Sequence, residues 1–327
     1  MGLSSSETPD FHSTATPPLE PVYVSSVPPR RRQPIGRHLA LFLMTVATTT
    51  FVGAEHFASF QVDFGNRASD LSTAQFILNG FWYSVSILAI LGAHEFGHYY
   101  ACKHYRVDAS LPYFLPAPLP LTGTLGAFIR IRQMIPGKRA LFDIGIAGPI
   151  AGFIVTIPVL LVGMSLSRVT ELPADTQGLV ELGEPLLFKG VAWLFWGTPL
   201  EGHSINMHPM AFAAWFGLLA TALNLFPIGQ LDGGHIAYAV VGRKSTLVTL
   251  GTVAVLVGLT FVSRSWLVWT VLTLVMLAVF GPRHPPTFDE HVPLDRARLW
   301  VAAAGLLIFV LCFTPAPLEP FDLVSTR

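Results

Sequence analysis

Charge is scarce in this chain. Lys, Arg, Asp and Glu make up 12% of its 327 residues, whereas 52% are hydrophobic and the mean hydropathy is +0.55. So little charge cannot solvate one or two soluble domains, and the composition implies a polytopic membrane protein instead. The charges present balance, 20 basic against 20 acidic, and no basic run is interleaved with aromatics. Nucleic acid is therefore not an expected partner. Cysteine is nearly missing. Cys102 and Cys312 lie far apart near predicted helix ends, which gives neither a disulfide framework nor a thiolate metal site. No repeat of about 20 to 50 residues is visible, which excludes a solenoid.

What is present is a series of apolar runs. Residues 1–38 are rich in Pro, Ser and Thr and predict a disordered, cytosolic tail. The first apolar run starts only at Leu39, so a cleavable secretory signal is not expected, and Glu7, Asp10 and Glu20 argue against an organelle transit peptide. Runs long enough to span follow at Leu39 to Phe57, Phe76 to Ala101, Asp143 to Ser167, Pro209 to Pro227, Thr246 to Val262, Trp266 to Phe280 and Leu299 to Phe313. The expected fold is an all-α polytopic membrane protein of about seven transmembrane helices. Its membrane-embedded domain is placed at 39–314, with a core at 75–240, and 315–327 form a C-terminal tail. The loop from Arg168 to His208 has room for a short helix or hairpin at most.

If every run spans once and the tail is cytosolic, 15 of the 20 basic residues fall on the tail's side. The other five are Arg67, Arg168, Lys189, Arg264 and Arg327. This asymmetry is what the positive-inside rule demands. The resulting expectation is a multi-pass protein with a cytosolic N-terminus, in a bacterial plasma membrane or an organelle membrane.

The second run contains HEFGH, which places His94, Glu95 and His98 inside an otherwise apolar helix. Each ionisable residue there costs about 2.5 to 3.5 kcal/mol, so the three need a compensating partner. A spacing of four stacks His94 and His98 on one helix face, where two imidazoles can grip one ion. Glu95 stands beside them, free to hold a water. This is the zinc-peptidase pattern H-E-x-x-H, in which the metal acidifies a water and the glutamate takes its proton. The bland alternative, two surface histidines and a glutamate, fits a soluble helix and not this setting.

Two histidines do not complete a zinc site. The fourth run ends in NLFPIGQLDGGH, Asn224 to His235, and it runs inward to the same membrane depth as His98. Taken alone, Asp232 among Leu231, Gly233 and Gly234 reads as part of a helix-ending turn. With two imidazoles in need of a partner it reads as the third ligand. Pro227 breaks the helix ahead of it and lets the chain swing the carboxylate towards the metal. Asn224 offers a donor and an acceptor inside the membrane.

At these residues the chain resembles the site-2 protease family of intramembrane zinc metalloproteases. The resemblance rests on HEFGH at His94 to His98, NLFPIGQLDGG at Asn224 to Gly234 and FDIGIAGPIAGF at Phe142 to Phe153, in that order over roughly residues 75–240. It implies one Zn2+ bound by His94, His98 and Asp232, Glu95 as general base, and Asn224 positioning or polarising the substrate. The implied substrate is a membrane protein with a transmembrane helix, cleaved in or near that helix. Many relatives carry a PDZ domain between the third and fourth helices, for which the loop from Arg168 to His208 is too short. That leaves room for an unknown regulatory partner.

Other features have structural expectations. Gly148 and Gly152 form a G-x-x-x-G face that lets another helix approach closely. Asp143 is expected to cap the helix that starts there. Residues Leu111 to Gln133 carry Pro112, Pro116, Pro118 and Pro120, which forbid a regular helix, while Thr124 to Arg132 alternates like a strand. A re-entrant segment lining the site fits this pattern. His12, His38, His104, His203, His208, His284 and His291 are expected in the tail, in loops or at interfaces, and Glu55 and His56 near the outer surface. His235 adjoins the metal loop and could support a ligand. The rival reading is a metal transporter or metal-sensing membrane protein using the same ligands without hydrolysis. It would need polar groups continuing to the far side, and MAFAAWFGLLATAL in the fourth run has no ionisable residue.

Overall fold

A computed structural model describes residues 35–65, 67–68, 71–173, 179–281 and 285–320. In chain order these form α1 (Ile35–Gln61), α2 (Thr73–His104), β1 (Tyr113–Pro116), β2 (Thr124–Phe128), α3 (Lys138–Leu166), β3 (Arg168–Glu171), β4 (Val180–Leu182) and α4 (Leu186–Trp196). They continue with β5 (His203–Asn206), α5 (Pro209–Leu225), α6 (Asp232–Val241), α7 (Ser245–Leu259), α8 (Trp266–Phe280), α9 (Arg296–Cys312) and β6 (Leu318–Pro320). The protein is mostly helical. Four helical stretches are long and apolar enough to cross a membrane: α1, α2, α3 and the run Asp232–Leu259 that joins α6 to α7.

The boundaries follow from local chemistry. α2 starts at a capping box, in which the Gln75 backbone N–H donates to Ser72 Oγ and the Ser72 N–H donates to Gln75 Oε1 at 3.0 Å. α5 begins with Pro209 in its first turn and His208 as its cap, and it stops at Leu225, just ahead of Pro227. α2, α3 and α5 pack around Tyr83, Ile87, Leu160, Met164, Trp215 and Leu218, each of them 0–1% exposed. α1 leans on α2, with Thr49 Oγ1 and Ser84 Oγ 2.7 Å apart. Outward, Leu43, Leu78, Val85, Val268 and Val279 are exposed, as side chains facing lipid would be.

Several boundaries differ from expectation. α1 begins four residues before Leu39, so Ile35 to His38 belong to it, and the rest of the expected tail, with His12, lies outside the described residues. His38 is buried, with Nδ1 3.1 Å from the Pro112 carbonyl. His284 also lies outside the described residues. α3 begins at Lys138 with Gly137 as its N-cap, so Asp143 is not a cap. It sits inside the helix, held by Arg298 of α9 and by the Tyr105 hydroxyl. A carboxylate one turn inside a helix has no free backbone N–H to cap and takes a cation instead.

The stretch after α5 is not simply a terminating turn either. The chain reverses through Gly229 at φ +50° and re-enters a helix at Asp232. Gly233 and Gly234 are required there because a Cβ on either would overlap the carbonyls of Leu225 and Gly229.

Between α2 and α3, β1 and β2 pair antiparallel, Tyr113 opposite Phe128 and Phe114 opposite Ala127, with a register shift between Phe114 and Pro116. The expected strand is thus present but ends at Phe128. The segment from Arg168 to His208 holds more than one helix or hairpin: β3 pairs with β5, and β4 pairs with β6 from the expected C-terminal tail. α4 buries Phe188 and Ala192 and leaves Trp193 and Leu194 outside. At 11 residues it rises about 16 Å, too short to span.

Candidate metal centre

α2 carries two imidazoles one turn apart on its inward face. His94 Nε2 and His98 Nε2 are 3.0 Å apart, and both side chains are buried. Asp232, the first residue of α6, aims Oδ2 at them from the opposite side, 3.3 Å from His94 Nε2 and 3.2 Å from His98 Nε2. These are the one group of three or more His, Cys, Asp or Glu side chains converging in this way among the described residues.

The arrangement is built by α3. His98 Nδ1 lies 2.7 Å from the Ile144 carbonyl, which can only accept, so Nδ1 carries the proton and Nε2 presents its lone pair to the cluster. A Cβ at Gly148 would overlap the His98 ring, and one at Gly152 would come within 3.2 Å of His94 Cβ. The small-residue face expected to let a helix approach is the seat of both imidazoles.

With His94 Nε2 also presenting its lone pair, three acceptors would face one another in a buried setting, which is unfavourable unless a positive charge lies between them. A proton on one imidazole would satisfy only part of the set, whereas a divalent cation satisfies all three. The spacing fits one. Ligands at about 2.0 to 2.2 Å from a tetrahedral ion lie roughly 3.3 to 3.6 Å apart, slightly wider than the 3.0 to 3.3 Å separations observed here. Two imidazoles and one carboxylate also suit zinc chemically.

Two further groups reach the cluster. Glu95 Oε1 is 4.0 Å from His94 Nε2, beside the ligands rather than among them, and its side chain takes a hydrogen bond from the backbone of Ile129, just past β2. Asn224 near the end of α5 places Nδ2 3.4 Å from His94 Nε2. His94, Glu95, His98, Asn224 and Asp232 are therefore brought together. His235 is not among the converging donors; it packs against Gly145 of α3. His208 caps α5 by accepting from the Met210 N–H, and His56 Nε2 lies 3.0 Å from the Leu121 carbonyl.

Reasoning from the sequence missed the Ile144 carbonyl, the Ile129 amide and the Arg298–Asp143 pair that steadies α3 one residue before Ile144. Backbone groups carry no residue signature. Arg298 could have been noticed as a charge at the start of an apolar run.

Comparison with known proteins finds a family profile and named relatives. Residues 82–263 match the profile described as Peptidase family M50. The chain is 31% identical over 268 residues to Probable zinc metalloprotease EGY2, chloroplastic, of Oryza sativa subsp. indica, covering 79% of this chain and 46% of that protein. The protein of the same name from Arabidopsis thaliana is 32% identical over 238 residues, 71% of this chain and 40% of its own length. Probable zinc metalloprotease EGY1, chloroplastic, of Arabidopsis thaliana is 35% identical over 172 residues, 50% of this chain and 30% of that protein. The chain thus spans less than half the length of these curated relatives.

Proposed function

The chain belongs to peptidase family M50, and we propose that it is an intramembrane zinc metalloprotease hydrolysing peptide bonds in or near the transmembrane segments of other membrane proteins. The observation that carries this reading is the convergence of His94, His98 and Asp232 with Glu95 alongside, inside an apolar helical core. A zinc ion held by the three ligands would supply Lewis-acid chemistry, acidifying a water and polarising a carbonyl. Glu95 accepts the proton of the attacking water on its carboxylate and returns it to the leaving amine nitrogen as the C–N bond breaks. Asn224 donates from Nδ2 to the substrate carbonyl oxygen as that oxygen gains charge. Transport is disfavoured, because α2 carries no Asp, Glu, Lys, Arg or His from Thr73 to Ala93 and α5 carries none from Pro209 to Leu225.

The seven apolar runs are read as seven spans, with the mouth of the site and the N-terminal tail on the cytosolic, Lys/Arg-rich side. His98 lies six residues before the end of α2, which supports a reading with the ligands below that surface. The protease domain is taken as 39–314 with Ile35 to His38 added. The plant relatives are named as chloroplastic and give no support to a bacterial membrane. The lipid bilayer is the standing partner, and a regulatory protein could take the role of the missing PDZ domain.

A helical substrate must unwind before attack, because its carbonyls are already hydrogen-bonded. β2 offers a place to re-pair the freed backbone. It pairs with β1 alone among the described residues, and Ile129 at its end already touches Glu95. Both parts are tested by cleavage of one helical substrate and one pre-unwound by Gly or Pro. Glu95→Gln keeps zinc and lowers cleavage of both by about 100-fold or more. Phe128→Pro slows the helical substrate more than the unwound one. Undiminished proteolysis by zinc-loaded Glu95→Gln sinks the mechanism, and equal slowing by Phe128→Pro sinks strand addition.

A further inference from the structure

Beside Asn224 lies a cavity of about 220 Å³ that none of His94, Glu95, His98 and Asp232 lines. Its walls include Leu223 and Asn224 of α5, Ile228 and Leu231 of the turn that follows, and Trp269 and Met276 of α8. No ionisable residue lines it, and its polar side chains are those of Asn224 and Thr273. Two of its lining residues also belong to the surroundings of the reaction centre. Asn224 borders it and also reaches to 3.4 Å from His94 Nε2, and Leu231 immediately precedes Asp232.

We propose that this cavity is a specificity subsite that takes the large apolar side chain of the substrate residue next to the scissile bond. The proposal rests on the proteolytic reading of the cluster. Its size suits one such group: an apolar cavity of about 150 Å³ accepts a benzene ring, so a Phe or Leu side chain fits and a whole helix does not. Its chemistry excludes a charged residue, which would be desolvated there without a counter-ion. A bound peptide with its carbonyl at Asn224 Nδ2 lies against a residue that also lines the cavity, so its adjoining side chain is the one directed there. Discrimination then comes from α8, through Trp269, Thr273 and Met276.

The test uses the full chain in detergent and three peptides that differ only in carrying Ala, Leu or Phe at that position. The wild type favours Leu and Phe over Ala by about tenfold or more in kcat/KM. Thr273→Trp, which fills the cavity, brings that ratio close to one, and Trp269→Ala, which enlarges it, raises Phe relative to Leu. Variants that keep zinc yet scale all three peptides equally would overturn the subsite. A second measurement does not depend on turnover. In Glu95→Gln, a photoreactive leucine at the same position labels the α8 segment from Trp269 to Met276. Labelling confined to lipid or to other helices means that an acyl chain, not the substrate, fills the cavity, and also overturns the proposal. If zinc-loaded wild type cleaves no peptide, the protease reading fails, while the labelling still reports on the cavity.

Discussion

Asp63 and Asp232 are both shielded carboxylates, at opposite ends of the structure, and their surroundings differ in kind. Asp63, 3% exposed, is paired with Arg168 Nε at 2.7 Å and Arg67 Nε at 3.1 Å, and it accepts from Asn206 Nδ2 at 2.8 Å. Asp232 meets two imidazole nitrogens, and no lysine or arginine pairs with it among the described residues. The first set balances its carboxylate with cations of the protein itself, so its role is to hold the end of α1 to β3 and β5. The second set is incomplete without a cation, which is the condition for a metal centre rather than a structural ion pair.

The contrast can be broken most strongly at Gly148. Gly148→Ala forces a Cβ into the His98 ring, and the ligand must move off its lone-pair direction. Zinc affinity is expected to fall about 10- to 100-fold, measured by competition with a chelator, as for other losses of ligand support. Unchanged affinity would mean that the imidazole is not held where it appears.

At the other end, Asp63→Ala is expected to cost about 2 kcal/mol of stability, since it leaves Asn206 and the largely screened Arg168 short of a partner. Thermal unfolding in detergent reads this loss, while zinc content stays constant. A drop in zinc would show that the two ends are coupled and the comparison false.

The smallest effect concerns pH at the His208 end of α5. Burial pushes the His208 imidazole down to about 4, against an ordinary value of 6.5. Between these values the unfolded chain binds more protons than the folded one, so stability is full above about pH 6.5 and declines as pH falls towards 4. From pH 7 to 5.5 the loss is about 1 kcal/mol. His208→Gln should flatten that part of the unfolding profile, and an equally steep profile would remove His208 as its source.

How much of this was legible in the sequence depends on which atoms do the work. His94, Glu95 and His98 were readable because helical periodicity alone puts two imidazoles on one face. Asp232 became readable only once those imidazoles needed a partner, since nothing in LDGG by itself distinguishes a ligand from a turn, and Asn224 stood out as an amide inside the membrane whose role came from the family resemblance. α6 was missed because the glycine pair reads as a helix stop, whereas here it lets the next helix start against a backbone that has just reversed. Asp143 was misread because the start of α3 was placed at the first strongly apolar stretch, five residues late. The Ile144 carbonyl and the β4–β6 pairing were beyond reach: one is a backbone group, and the other joins residues more than a hundred apart in the chain.

Metal content tests the central claim most directly. Purified wild type, Asp232→Asn and Asp63→Asn would be exposed to the same mild chelation and assayed for zinc per chain. Wild type and Asp63→Asn are expected to retain about one zinc, and Asp232→Asn to lose most of it, because a charged oxygen ligand has become neutral. A wild type that never holds zinc, or an Asp232→Asn variant that holds it as firmly, would contradict the assignment of His94, His98 and Asp232 as a metal centre.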